Sequence, residues 1–332
     1  MILLRIFKNN RTSGAVALVI LALAVFTRSF ILGVEPGGSG VVSGYYGMPF
    51  YNLIFGAIHT KPILNHIITL LLVIFLGYTL IRIGVRYLLL DYRSLMPGIF
   101  FLFFIMALPS TQQISPALVG SIFYLFCFAI LFDAHDKEPN TFSIFTASFI
   151  LVLGSMFYLK LIWFIPLIWA SLFTLRTATW RELLYPVVAY IMLGVFLIAW
   201  YWGLMDNMEG LGELIRNNLA FNGALKPYHF SIYIYYGYLL LLVLVASIYM
   251  VNRFQTRKTV TQNIYQVLFF MFVAGMLFFV FIERFEPSTL VFIAFPVSYV
   301  LSNYFHKKKN HWSEEVALWI VIGLLVYVQW MA

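Results

Sequence analysis

Residues 62–81 read PILNHIITLLLVIFLGYTLI, a run of twenty residues with no Asp, Glu, Lys or Arg. At about 1.5 Å per residue, an α-helix of this length crosses the roughly 30 Å hydrocarbon core of a bilayer. Similar apolar runs recur along the whole chain of 332 residues, of which 62% are hydrophobic and 10% are charged. About a quarter of the residues are charged in a soluble globular protein. The sequence therefore predicts an all-α fold, a polytopic transmembrane helical bundle.

We predict about eleven spans in a single integral membrane domain that covers residues 1–332, because no stretch between the apolar runs is long enough for a soluble domain. The predicted spans are residues 14–34, 62–81, 94–109, 115–133, 141–159, 161–175, 183–204, 230–251, 263–282, 288–305 and 313–331. The runs at 94–133 and 141–175 form tight pairs, with a short turn at Pro109–Pro116 and almost none at Lys160. Short hairpins of this kind need not cross a full bilayer, and here the span count can fall by two.

The distribution of basic residues predicts the orientation. The apolar run at 14–27 follows basic residues but has no small-residue cleavage site after it, so we interpret it as an uncleaved first span. With a cytoplasmic N-terminus, 15 of the 21 Lys and Arg residues fall on the cytoplasmic side, as the positive-inside rule requires. We expect a bacterial inner (cytoplasmic) membrane protein, with a periplasmic C-terminus if there are eleven spans. The net charge of +8 follows from this topology, and we do not expect a nucleic-acid partner.

Two predicted outer segments are longer than turns, residues 35–61 and 205–230. In the first, the apolar run Met48–Ile58 is too short to span, so it predicts an interfacial or re-entrant helix with Tyr51 at the headgroup level. In the second, Glu209, Glu213 and Arg216 have helical spacing. This pattern predicts a short amphipathic helix on the membrane surface.

The sequence contains no phosphate-binding loop, no HExxH and no pair of cysteines. Its six histidines are scattered, and none of their spacings is typical of metal ligands. We therefore expect no metal and no cofactor. The expected partners are membrane lipid and, depending on function, a polyprenyl-phosphate-linked sugar or other membrane subunits.

Glu35 is the candidate catalytic residue. It lies where the first span meets the outer face, and Arg28 precedes it by seven residues, two turns earlier on the same helix face. An ionisable residue at this depth indicates a functional site, with Glu35 as a general base and Arg28 contacting an anionic group. The alternative is a helix-end Glu and an Arg whose side chain reaches the lipid headgroups.

Three further residues are candidates for substrate binding. Lys160 stands alone between two apolar runs, either as a turn residue at the outer surface or as a cation that holds a lipid-linked phosphate in an outer cavity. Arg284 either pairs with Glu283 and Glu286 in its own loop, the interpretation we favour, or binds a phosphate. His229 begins a tyrosine-rich tract that is typical of an aromatic belt and is also compatible with sugar stacking.

Two blocks of sequence resemble an uncharacterised family of bacterial multi-pass membrane proteins. The first is Leu167–Val188, with IWASLF at 168–173, Arg176 and WRE at 180–182. The second is Glu283–Phe305, with ERFEP at 283–287 and FPVSYVLSNYF at 295–305. The resemblance extends over most of the chain but implies no particular activity.

The layout also resembles glycosyltransferase superfamily C, in which an acid follows the first span, membrane-lying helices form the first outer loop and short paired spans follow. Glu35 occupies the place of that acid, and MPFYNLIF at 48–55 resembles the segment after it. The chain departs from the superfamily in having a single Glu where Asp is usual, and in lacking a large outer C-terminal domain.

The leading hypothesis is thus a glycosyltransferase superfamily C-like enzyme, or a derived relative, that acts on polyprenyl-phosphate-linked sugars at the outer leaflet. In it, Glu35 is the base and Arg28, Lys160 and Arg284 neutralise the lipid phosphate. The alternatives are a transporter or flippase for a lipid-linked solute, and a non-enzymatic membrane subunit of an envelope complex. The sequence leaves open whether the protein is an enzyme.

Overall fold

The computed structural model describes residues 19–20, 22–27, 48–59, 61–90, 94–133, 141–175, 179–203, 205–219, 229–305 and 312–331. All regular elements within these ranges are helices, which confirms the predicted all-α class. Several helices begin at or next to a proline, whose fixed φ suits the first helical turn. Examples are Pro49, Pro62, Pro97 and Pro116.

The α-helices whose ends are defined run in chain order as follows: α1 Pro49–Phe55, α2 Pro62–Arg86, α3 Met96–Ile105, α4 Pro116–Asp133, α5 Thr141–Ser155, α6 Ile165–Leu175, α7 Trp180–Gly203, α8 Met208–Leu219, α9 Phe230–Arg253, α10 Thr259–Leu277, α11 Leu290–Phe305 and α12 Trp312–Met331. Shorter turns join some of them. They are the 3-10 turns Pro109–Gln112, Leu159–Phe164, Phe254–Thr256 and Pro287–Thr289, and the π-helical turn Phe278–Ile282, which directly continues α10.

Among the described residues, seven helices are long and apolar enough to cross a membrane. They are α2, α4, α7, α9, α10 with its π turn, α11 with the 3-10 turn before it, and α12. Most of the predicted span at 14–34 lies outside the described residues, and its residues 22–27 are helical. The count of about eleven is therefore not confirmed.

The two hairpins account for the rest of the difference. The predicted span 94–109 contains only the ten-residue helix α3, which is about 15 Å long and covers half of a hydrocarbon core. The predicted spans 141–159 and 161–175 contain helices of 15 and 11 residues. The expectation that these pairs include incomplete crossings agrees with these lengths.

Helix α11 lies at the centre of the fold, and all its residues except Val300 and Tyr304 are buried. It packs against α3, α4, α9 and α10. Every residue of α3 is also buried, and its Phe101 ring stacks on Phe295 of α11 at 5.3 Å. A short apolar helix can exist here because its neighbours are protein side chains on all faces.

The two predicted outer segments contain helices, α1 and α8. Tyr51 of α1 is 4% exposed, so its side chain packs against protein; its position at the headgroup level stays a prediction. Helix α8 is amphipathic as predicted, with Glu209, Glu213 and Arg216 exposed. Its buried residues Leu211 and Leu214 pack in one cluster with residues of α7, so this face contacts protein.

Candidate functional site

An apolar groove lies between α9 and α10, with α11 as its floor, and has a volume of about 500 Å³. On α9 it extends from Ile232 to Val243, a length of about 17 Å at the rise of an α-helix. This is close to the thickness of one leaflet of the hydrocarbon core. The lining residues are Phe104, Leu108, Ile232, Tyr233, Tyr236, Gly237, Leu240, Val243, Phe272, Met276, Phe279, Phe285, Pro287, Leu290, Ile293 and Val297.

None of these lining residues is ionisable at neutral pH, so the groove suits a hydrocarbon chain. The Tyr236 hydroxyl, one of its few polar groups, donates to the carbonyl oxygen of Phe104 at 3.1 Å. The groove occupies the half of the bundle in which α9 begins and α10 ends, which we call the mouth end. In the orientation predicted from the loop charges, the mouth end faces the periplasm.

One wall of the groove ends in an irregular turn, Glu283–Glu286. Phe285 lines the groove, and its ring meets Phe279 edge to face at 5.3 Å. Arg284, its neighbour, is exposed. The turn therefore brings an arginine to the mouth of an apolar slot.

His229 lies at the N-terminal end of α9, the helix that forms the opposite wall. It is exposed, caps the N-terminus of α9 through its side chain, and its Nδ1 lies 3.0 Å from the Ser231 hydroxyl. Tyr233, one turn further along α9, lines the groove. His229 and Arg284, two of the residues predicted to bind substrate, thus lie at the same end of the groove on different walls.

Beneath the turn is a buried ion pair. Lys160 Nζ lies 2.8 Å from Glu283 Oε1, and both side chains are nearly inaccessible, at 6% and 4% exposure. The Tyr158 hydroxyl donates to the same carboxylate oxygen. The Tyr158 ring packs on Phe278 and Phe292, so the charges meet among aromatic side chains, where they stabilise each other only as a pair.

A second polar cluster surrounds the end of α3. The chain from Met106 to Ser115 is not α-helical, which leaves backbone carbonyls at the end of α3 without α-helical partners. Side chains of the segment itself and of other helices donate to them. The pairs are Tyr235 to Phe103, Tyr236 to Phe104, Thr111 to Ile105 and Leu108, Gln112 to Met106, Gln329 to Met106 and Ala107, and Tyr51 to Ile114. The freed carbonyls are satisfied inside the protein, the condition under which a bilayer tolerates irregular backbone.

The other predicted site residues fall as follows. Glu35 and Arg28 lie outside the described residues. Lys160 is buried against Glu283, so the interpretation of an exposed turn residue is wrong. We expected the charges of the 283–286 loop to pair among themselves. In the structure Glu283 pairs with Lys160, which lies outside the loop. A lone cation and a distant acid, each beside an apolar run, were the only sequence signal for this pair.

The described residues contain no group of three or more His, Cys, Asp or Glu side chains that could hold a metal ion. The comparison with family models gives one result: the model of a family of unknown function, DUF6427, matches residues 40–331. Because the match covers most of the chain, the protein belongs to this family. No curated protein and no solved structure matches the chain.

Proposed function

We propose that this member of the DUF6427 family binds a polyprenyl-phosphate-linked sugar at the outer leaflet of a bacterial inner membrane. We further propose that it acts on this lipid as a glycosyltransferase superfamily C-like enzyme or a derived relative. The observation that carries the proposal is the groove, an apolar slot about one leaflet long. Arg284 adjoins its lining residue Phe285, and His229 lies one turn before its lining residue Tyr233.

Each part of the lipid has a matching part of the groove. The uncharged lining accommodates the hydrocarbon chain, and the guanidinium of Arg284 can contact a phosphate through two parallel hydrogen bonds. The Nδ1 of His229 accepts from the Ser231 amide, which leaves Nε2 as a second hydrogen-bond donor. An anionic head on a long apolar tail is therefore the ligand chemistry that the groove favours.

In an active enzyme, Glu35 deprotonates the acceptor or stabilises the positive charge that develops on the sugar. Arg28 lies in the same N-terminal region and is the second candidate for the lipid phosphate. In this scheme Lys160 does not contact the lipid phosphate, because its ammonium is paired with the carboxylate of Glu283. Its effect on the site is indirect. The catalytic step rests on the layout of the first outer segment, and the binding step rests on the groove.

The binding step is tested by filling the groove. A Cβ atom built on Gly237, a lining residue, or on Gly194 of α7 meets nothing within 4 Å. Gly237→Trp places an indole in the slot, whereas Gly194→Trp places one on a helix that does not line it. We expect Gly237→Trp to weaken retention of a long-chain polyprenyl phosphate in native mass spectrometry at least several-fold, and Gly194→Trp to leave it unchanged. Equal retention by both variants, or none by the wild type, would overturn the groove assignment.

The catalytic step is tested by Glu35→Gln, with Glu213→Gln as the control because Glu213 is exposed on α8. We expect Glu35→Gln to abolish transfer to cell-envelope glycans while the protein still folds, and Glu213→Gln to have no effect. Unchanged glycans in the Glu35→Gln strain contradict the catalytic role and leave a lipid-binding relative.

A transporter or flippase is the second candidate. It is favoured by the discontinuous crossing made by α3 and the irregular residues after it, since transporters build binding sites on broken helices. Movement of a fluorescent polyprenyl phosphate across proteoliposomes, reduced by Gly237→Trp, would support transport over transfer. A non-enzymatic subunit predicts no outer cavity, and the groove counts against it.

A further inference from the structure

We infer that Lys160 and Glu283 are positioning residues: their buried ion pair holds the turn Glu283–Glu286 in the strained form that places Phe285 in the groove wall and Arg284 at its mouth. The inference deepens the proposed function and rests on it for the role of Arg284. The conformational part of the inference stands on the geometry of the turn alone.

The turn adopts a backbone that its residues disfavour. Arg284 and Phe285 have φ values of 45° and 68°, in the left-handed region that side chains with a Cβ rarely occupy. Two such residues in succession, without a glycine, persist only where the surroundings determine them. A π-helical turn precedes them and a 3-10 turn follows, so the two residues lie between two irregular turns.

The ion pair ties this turn to another part of the bundle. Glu283 immediately precedes Arg284, and its carboxylate binds both Lys160 and the hydroxyl of Tyr158. These two partners belong to a different part of the bundle, at the 3-10 turn after α5. Tyr158 is fixed in turn by close packing, since a Cβ on Gly120 of α4 would lie 3.0 Å from its Cβ. Arg284, the first of the two left-handed residues, thus directly follows Glu283, whose side chain is held by two partners.

Backbone hydrogen bonds within the turn report on its state. The amide of Glu283 donates to Phe278 at 3.0 Å, that of Phe285 to Phe279 at 2.9 Å, and that of Glu286 to Glu283 at 3.1 Å. If the ion pair holds the strained form, its removal opens these bonds while the helices stay folded. Amide hydrogen exchange of residues 278–289 then measures the effect directly.

The test uses the full-length protein in lipid nanodiscs. Lys160→Met alone leaves a buried carboxylate unpaired and can prevent folding. The double variant Lys160→Met/Glu283→Met removes both charges at similar volume and should fold. We expect it to speed exchange across 278–289 by about tenfold or more, with exchange of the α8 peptide 208–219 unchanged. We also expect it to weaken polyprenyl phosphate retention about tenfold, the loss that we expect for Arg284→Ala.

The possible outcomes separate the two proposals. A folded double variant with wild-type exchange across 278–289 overturns the positioning role, whatever its lipid binding. Faster exchange combined with unchanged retention of the lipid would show that Arg284 does not bind the lipid. The Lys160–Glu283 pair would then only shape the turn. If the wild-type protein retains no polyprenyl phosphate, the proposed function fails, while the exchange data still decide the role of the pair.

Discussion

The side-chain amide of Gln329 donates to the carbonyl oxygen of Met106 at 2.9 Å, and this contact joins α12 to the point where α3 ends. The same nitrogen lies 3.1 Å from the carbonyl oxygen of Ala107. Gln329 is buried, and the other buried residues in the second half of α12 are apolar. One glutamine therefore caps a broken helix from more than two hundred residues away.

Gln329→Leu should destabilise the protein by about 1–2 kcal/mol, because the Ala107 carbonyl loses its donor in an apolar setting. The Met106 carbonyl keeps Gln112 as a donor, at 3.1 Å, which limits the loss. Denaturant titration in mixed micelles measures the change in the free energy of unfolding. Trp330→Leu is the control: Trp330 is adjacent and 83% exposed, so its replacement should change stability little. Equal losses of unfolding free energy in the two variants would show that the hydrogen bonds of Gln329 to Met106 and Ala107 contribute no specific stability.

The helices could be predicted from the sequence because their cause is local. A run such as residues 62–81 requires a helix in a bilayer whatever its neighbours are, and α2 occupies residues 62–86. The same reasoning fails for residues 94–109. Hydropathy does not reveal that α3 stops at Ile105, because the donors that stabilise the broken end come from Tyr235, Tyr236 and Gln329.

The candidate site shows the same division. Arg284 and His229 were predicted from their places at span ends. In the structure Arg284 adjoins Phe285 and His229 lies one turn before Tyr233, both of which line the groove, and their part in substrate binding stays a prediction. The partner of Lys160 was not predicted, because Glu283 is distant in sequence and no periodicity connects them. Whether a charge near a span end is exposed or buried depends on such a partner, which makes it a property of the tertiary structure.

Close packing between α4 and α5 gives a second prediction. A Cβ on Gly154 would lie 2.7 Å from the Cβ of Phe123 and 2.8 Å from Leu161 Cδ1, distances that real side chains do not tolerate. Gly154→Ala should therefore destabilise the fold by about 1–3 kcal/mol. Gly194→Ala makes the same chemical change in a helix with open space around it. It should be neutral or slightly stabilising, and a similar loss in both variants in a thermal unfolding assay would contradict this packing.

Acidification should weaken the structure around α1. His59 Nε2 lies 2.9 Å from the Tyr51 hydroxyl, and partial burial lowers the pKa of His59 because it disfavours the charged ring. The unfolded chain, with an imidazole pKa near 6.5, takes up a proton that the folded chain resists. The stability that comes from keeping His59 neutral is therefore fully present above about pH 6.5. It falls as the pH drops from there toward the lower pKa of His59 in the folded protein.

The measurement is the unfolding temperature at about pH 7.5 and about pH 5.5, on either side of the imidazole pKa. Between these two pH values, the unfolding temperature of the wild type should fall by roughly 1–3 °C more than that of His59→Gln, which has no titrating group at this position. Many other groups titrate over the same range, so only the difference between the two proteins is informative. Identical losses would show that His59 titrates freely in the folded protein.

The orientation gives the last prediction. Glu213 on α8 and Gln255 after α9 are both exposed. Helix α9, which is long and apolar enough to cross a membrane, separates them in sequence. The native Cys127 is fully buried, so it should not react, and each cysteine variant carries one accessible thiol. In intact spheroplasts, Glu213→Cys should react with a membrane-impermeant maleimide, and Gln255→Cys should react only after lysis. Reaction of Gln255→Cys before lysis would reverse the orientation, placing the groove mouth in the cytoplasm, where an outer-leaflet lipid cannot enter it.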